Sequence, residues 1–295
     1  MPVRRPLAAV LTASALIPLS ACSSGSDNST VTQASPTGST SAGVQVPAAI
    51  RAKGTLTVAA DASYAPNEFF AADGKTVKGM DADLAKALGT QLGLRVTVVN
   101  AGFDAIIPGL ASGKYDLGMS SFTDTKKREA TVDFVTYFSA GTSFYGKPGG
   151  TAVTALTELC GHTVAVEKGT TQLDDATAQG KTCKTGGKKA VTVQVYPDQN
   201  GANLALSSGR ADVGMADSPV AAYAVKQSKG AFVVFGQPYG TAPYGIAIPK
   251  GNGLAPAILD ALTKLIANGT YTRVLTTWGV QAGAITTPVI NGATS

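Results

Sequence analysis

The chain is poor in the residues that most often do chemistry: one histidine, one tryptophan and three cysteines in 295 residues, with charged residues at only 15%. His162 stands alone and no CxxC spacing occurs, so no His/Cys/Asp cluster argues for a metal and no Ser/His/Asp arrangement for a nucleophilic relay. Neither a Ser/His/Asp enzyme nor a metalloprotein is therefore expected, and no cofactor. No Lys/Arg run interleaved with aromatics supports nucleic-acid binding. Nor does any stretch beyond the N-terminus approach the roughly 20 uninterrupted apolar residues of a spanning helix. What the chain does have is 44% hydrophobic residues, enough to bury a large core.

The N-terminus, "MPVRRPLAAVLTASALIPLSAC", places Arg4 and Arg5 before a short apolar run that ends in small residues. Residues 1–21 read as a secretion signal. Their removal takes away both arginines and no acid, lowering the formal charge from +5 to +3. "LSAC" resembles the bacterial lipobox, which makes Cys22 the expected lipidation site and the membrane an expected partner through that lipid. The Ser/Thr/Gly-rich segment behind it, within 22–53, reads as a flexible tether. Export would leave Cys160 and Cys183 as an even pair in an oxidising compartment. A disulfide between them would close a loop of about 24 residues and contribute roughly 3 kcal/mol; two free thiols or half a metal site are the alternatives.

From Gly54 onward, β-branched runs alternate with helical patterns. "TLTVAAD" (55–61) and "LRVTVVN" (94–100) read as strands. Between them, "DADLAKALGTQLG" puts Leu84, Leu88 and Leu92 on one helical face, with Asp81 as the expected N-cap. "FDAIIPGLASG" reads as a helix that tolerates Pro108 if it falls in the first turn. This rhythm predicts an α/β sheet. An internal echo sharpens the prediction: "ASGKYDLGMS" (111–120) lines up with "SSGRADVGMA" (207–216) at an offset of 96, each behind a strand and a helix. Two similar lobes follow. Ligands of such sheets bind beyond the carboxyl ends of the strands, where the echoed strands carry Ser120-Ser121 and Ala216-Asp217. Ser120, Ser121 and Thr123 offer hydroxyls, Arg128 offers a fork of donors suited to a carboxylate, and Asp217 offers an acceptor for an ammonium. An α-amino acid carries both charged groups.

At these residues the chain resembles the family 3 extracellular solute-binding proteins, the polar amino-acid receptors of ABC importers. "SYAPNEFFAADGKTVKGMDADLAKALGTQLG", "GFDAIIPGLASGKYDLGMSS", "TDTKKREATVDFVTYF", "VAVEKGTTQ" and "NGTYTRVLTTWG" follow one another in the family's order over roughly Gly54 to Gly279. The run of signature positions resembles that of actinobacterial lipoprotein members more than that of the soluble Gram-negative ones. The resemblance implies a two-lobed, type II periplasmic-binding-protein-like α/β fold with a hinge and an interlobe ligand cleft. The first lobe is expected over 54–141 and 241–282, the second over 142–240, and a C-terminal tail over 283–295. It further implies a monomer on the outer face of the cell membrane that hands its ligand to a membrane permease.

By the same resemblance, Tyr64 and Phe103 are expected as aromatic walls around the ligand's aliphatic part and Arg128 as the α-carboxylate clamp. Ser121, Thr123, Thr170 and Thr171 would add polar contacts, Asp217 would hold the ammonium, and Asp61 and Ser120 would meet the side chain's distal end. Asp124 is expected to be a local helix cap. The backbone at Thr170 and Thr171 opens a helix and can face an anion, though it lacks a phosphate loop's glycine and lysine order. Glu167 together with Asp61 makes the distal pocket acidic, which favours arginine or lysine. Glutamine and cystine are the alternatives, and Asn67 stands where many relatives have an aromatic residue. An exported cyclohexadienyl-type dehydratase, with Glu167 as proton donor, and a sensor domain passing occupancy to a kinase are the competing functions.

Overall fold

The structure, a computed structural model, describes residues 45–294. The expected secretion signal, Cys22 and most of the expected tether lie outside the described residues. The helices are α1 (Ala48–Lys53), α2 (Met80–Leu92), α3 (Phe103–Ala111), α4 (Lys126–Glu129), α5 (Thr171–Thr185), α6 (Gln199–Ser207), α7 (Ser218–Gln227), α8 (Leu254–Ala267) and α9 (Thr270–Trp278). The strands are β1 (Thr55–Ala60), β2 (Ser63–Tyr64), β3 (Glu68–Phe70), β4 (Val77–Lys78), β5 (Arg95–Asn100), β6 (Leu117–Gly118), β7 (Val132–Gly146), β8 (Thr163–Glu167), β9 (Thr192–Tyr196), β10 (Val213–Asp217) and β11 (Val233–Pro249).

The main sheet runs β5-β1-β6-β11-β7-β10-β8-β9. One end is a parallel βαβ unit, with β1 between β5 and β6. The other end repeats that arrangement, with β8 between β9 and β10. Two long antiparallel strands, β7 and β11, pass from one lobe into the other. Their pairing slips between Phe235 and Tyr239 and again before Ala242, where Gly236 (φ 65°) and Gly240 (φ 62°) adopt left-handed backbone. The irregular stretch leaves the two halves of the sheet joined by a weakly paired crossing.

The internal echo is real at the level of the backbone. Gly113 and Gly209, at matched positions of the two turns, share φ 75°, and Met119 and Met215 are both buried in their lobes' cores. Leu84 and Leu88 of α2 pack with α8 and α9 over one face of the first lobe. Around Phe144, Val164 and Val213 a separate core fills the second lobe. It is cross-linked beside α5 by the Cys160–Cys183 disulfide, with a Cα–Cα separation of 5.6 Å.

Three local expectations are corrected. The residue before α2 is Gly79, at φ 128°, where a Cβ would collide with the Asn67 carbonyl. Asp81 is therefore inside the first turn rather than at the cap, and its buried carboxylate accepts from Ser121 N and Tyr137 Oη instead. Pro108 lies in the second turn of α3; its exposed position leaves the carbonyl it cannot bond, that of exposed Asp104, open to water. The end of the expected tether is not tether-like, because α1 forms there and Val46 and Ile50 pack against the core.

Candidate functional site

The carboxyl ends of the two echoed strands meet at one cleft. The first lobe supplies Tyr64, Phe103, Ser121, Thr123 and Arg128, and the second supplies Thr170, Thr171, Gln172 and Asp217. The conformation is closed. Arg128 Nη2 donates to the Gly169 carbonyl across the cleft at 3.0 Å, and Gln199 N donates to Ser63 Oγ at 3.1 Å. Ion pairs Lys168–Asp104 (2.7 Å) and Lys127–Asp174 (3.0 Å) flank the mouth. The cavity enclosed is only about 10 Å³, about one water, so an amino acid enters only if the lobes part. A wider depression of about 620 Å³ borders the crossing strands, with Phe138, Tyr223 and Trp278 in its wall, and contains none of these residues.

Arg128 sits at the end of a short, well-fixed segment. Phe122 and Asp124 pair with β11 through Gly245 N and the Pro243 carbonyl, and Thr125 caps α4 by accepting from Arg128 N. The guanidinium lies 5.3 Å from the Phe103 ring and 5.4 Å from the Phe122 ring, and donates to the Thr123 carbonyl at 2.8 Å. Burial lowers its pKa, opposed chiefly by the Asp217 charge. Stacking on aromatics suits a planar cation and fixes the plane of its fork.

Asp217 ends β10 without capping α7: its side chain makes no cap hydrogen bond. Its oxygens instead accept from Gln172 Nε2 (2.7 Å) and Tyr244 Oη (2.6 Å). Burial raises its pKa, while Tyr244, Gln172 and Arg128 pull it back. Gln172, tied also to Thr142 Oγ1, was missed by sequence reasoning although it ends the "VEKGTTQ" segment; only contact with Asp217, 45 residues away in sequence, marks it. Thr170 is the N-cap of α5, accepting from Leu173 N and donating to the Glu167 carbonyl.

Several expected contacts are turned elsewhere. Ser120 is fully buried, accepts from Asp61 N and donates to Glu68, so it supports the cleft floor rather than facing into the cavity. Ser121, at φ 54°, borders the cavity, but its hydroxyl donates to Glu68 and accepts from Asn67 Nδ2. Asn67 is thereby explained as part of this buried network. Asp61 is occupied locally: one oxygen accepts from Ser63 N and Oγ, the other from Phe103 N. Asp124 is no helix cap, since that place belongs to Thr125; it is buried and accepts from Gly292 N. Tyr64 and Phe103 touch each other, ring centroids 5.8 Å apart, leaving no slot between them in the closed state.

Behind Tyr64 lies the least satisfied part of the site. Neither oxygen of Glu167, 1% exposed, has an aligned hydrogen-bond partner, and neither does Tyr64 Oη. The two groups are nonetheless close enough that Glu167 contributes to raising the Tyr64 pKa. Burial first, then the charge of Asp61, pushes Glu167 up to about 9. Among the described residues no His/Cys/Asp/Glu cluster could hold a metal ion, and no helix is long and apolar enough to cross a membrane.

A cleft closed between two similar α/β lobes, with a cation on one wall and a carboxylate on the other, defines a solute-binding protein. The chain belongs to the bacterial extracellular solute-binding proteins, family 3, whose pattern matches residues 56–281. It is 34% identical over 247 residues, 83% of this chain and 81% of the other, to the arginine-binding protein ArgT of Corynebacterium glutamicum. A solved ancestral arginine-binding protein bound to arginine is 35% identical with a TM-score of 0.70, covering 76% of this chain and 98% of that one. A structure of an ancestral arginine-binding protein bound to glutamine is 34% identical, also at 0.70, over 77% and 98%. These relatives are binding proteins rather than enzymes.

Proposed function

We propose that the chain captures a polar L-amino acid with a cationic side chain, arginine or lysine, by lobe closure and delivers it to an ABC permease in the membrane. The observation that carries this reading is charge balance in a dry cleft. An α-carboxylate would replace the Gly169 carbonyl on Arg128, and an α-ammonium would join Gln172 and Tyr244 around Asp217. Those two pairings leave no cation for the distal pair. Asp61 is hydrogen-bonded within its lobe, while Glu167, buried without an aligned partner, is held neutral by burial and the Asp61 charge, and ionising it there is costly. A guanidinium or ammonium on the ligand supplies the missing charge, whereas an acidic side chain worsens the excess. The hinge of this closure would be the crossing around Gly141 and Gly236–Gly240, with Cys22 as a lipid anchor and the monomer as the working unit.

A glutamine-binding reading has one observation in its favour. Glu167 stays protonated up to about pH 9, and a protonated carboxyl can donate to a ligand amide without any cation present. The same protonated group is the candidate proton donor for a dehydratase in this part of the cleft. Melting temperatures of the tether-free chain against cationic, amide and acidic amino acids and cystine discriminate these. A ligand at about 100 times its Kd adds roughly 2.7 kcal/mol, a rise of roughly 5 to 10 °C. A rise with arginine and lysine supports the proposal; one with glutamine or cystine alone keeps the receptor and discards the role of Glu167. No rise at all moves dehydratase assays to the front.

A further inference from the structure

The C-terminal tail, which lies beyond the segment shared with the family, is bound to the structure that carries Arg128. Val289 exchanges hydrogen bonds with Thr136, through Val289 O and Thr136 N and through Val289 N and Thr136 Oγ1, both 2.9 Å. Ile290 bridges Val135. Asn291 accepts from Phe134 N at 2.8 Å, donates its own N–H to the Phe134 carbonyl at 2.9 Å, and reaches Asp133 with Nδ2 at 3.1 Å. The tail thus adds a strand-like strap beside β7.

At Asn291 the backbone turns through φ 55°, and the next two amides leave the strap. Gly292 N donates to Asp124 Oδ2 at 2.7 Å and Ala293 N donates to Glu129 Oε1 at 3.1 Å. Position 292 admits no side chain without movement: a Cβ there would lie 2.7 Å from Val289 Cγ2 and 2.9 Å from Thr136 Cγ2. Asp124 and Glu129 bracket the single turn of α4 that holds Arg128. A turn of four residues has too few internal hydrogen bonds to hold itself. Its geometry depends on what grips its two ends. We propose that residues 289–293 form a strap that positions Arg128, a device by which the C-terminal tail sets how strongly the cleft selects for a ligand carboxylate. The residues concerned touch no ligand; they act through α4.

The inference rests on Arg128 as the carboxylate clamp, and the experiment separates the two claims. Calorimetric affinities for arginine and for argininamide, which lacks the carboxylate, are measured on the mature chain, on a chain ending at Ala284, and on Ala293→Pro. The proline variant removes one amide donor, adds no charge and leaves Val289–Gly292 in place. The mature chain is expected to prefer arginine. Both variants are expected to lose at least about tenfold of that preference (~1.4 kcal/mol) through weaker arginine binding, with argininamide little changed. If the shortened chain fails to fold, Ala293→Pro decides alone. Variants that keep the full preference, or lose both ligands in proportion, overturn the strap while leaving the clamp intact. No preference in the mature chain overturns the clamp, and the strap with it.

Discussion

Replacing Glu167 by glutamine removes one ionisable proton from the cleft at almost constant shape. In the unliganded protein Glu167 is raised from 4.5 to about 9. Between those values the folded protein keeps a proton that the unfolded chain has released, so the stabilising contribution is full below pH 4.5 and declines as pH rises toward 9. The slope is at most ~1.4 kcal/mol per pH unit, giving a ceiling of ~2.7 kcal/mol between pH 5 and 7. Opening of the lobes readmits water, and roughly half of that ceiling, or about 3 to 6 °C in a protein of this size, is expected in practice. The Glu167→Gln protein has no proton to lose there. Its melting temperature should gain about that much on the parent between pH 5 and 7 in paired unliganded scans. With arginine present, the ligand cation favours the ionised carboxylate, so the ligand-induced rise should grow with pH in the parent and stay flat in the variant. Parallel unliganded curves from pH 5 to 9 would refute the picture of a buried, neutral Glu167.

Three further outcomes are expected. Arg128→Ala should abolish measurable amino-acid binding by calorimetry with the fold retained by circular dichroism; retained affinity would reject the clamp. Asp217→Asn keeps the acceptor and loses the charge, so ligand affinity should fall by about 1.5 to 3 kcal/mol, the range for a charge-assisted bond, with folding intact by circular dichroism. Joint replacement of Cys160 and Cys183 by alanine should cost about 3 kcal/mol in urea unfolding, mostly in the second lobe, with arginine affinity preserved at temperatures where the protein stays folded. A loss of affinity there without a loss of stability would mean that the disulfide shapes the cleft.

The sequence by itself determined the repeat and its chemistry. The ten-residue echo at an offset of 96, the β-branched runs and the Leu84–Leu88 face follow from periodicities that local backbone geometry imposes; Asp217 follows from a strand end, and Arg128 from its side-chain chemistry and the family resemblance. Side-chain direction was decided only in three dimensions. Ser120, Ser121 and Asp61 sit where the pattern places them, yet each turns its oxygen toward Glu68, Asn67 or a nearby amide, because a buried polar atom takes the partner that packing presents. Gln172 and Tyr244 around Asp217, Glu167 beside Tyr64 and Asp61, and the strap over α4 all join residues distant in the chain. Their contacts arise from closing the two lobes and laying down the tail, and no local periodicity encodes them.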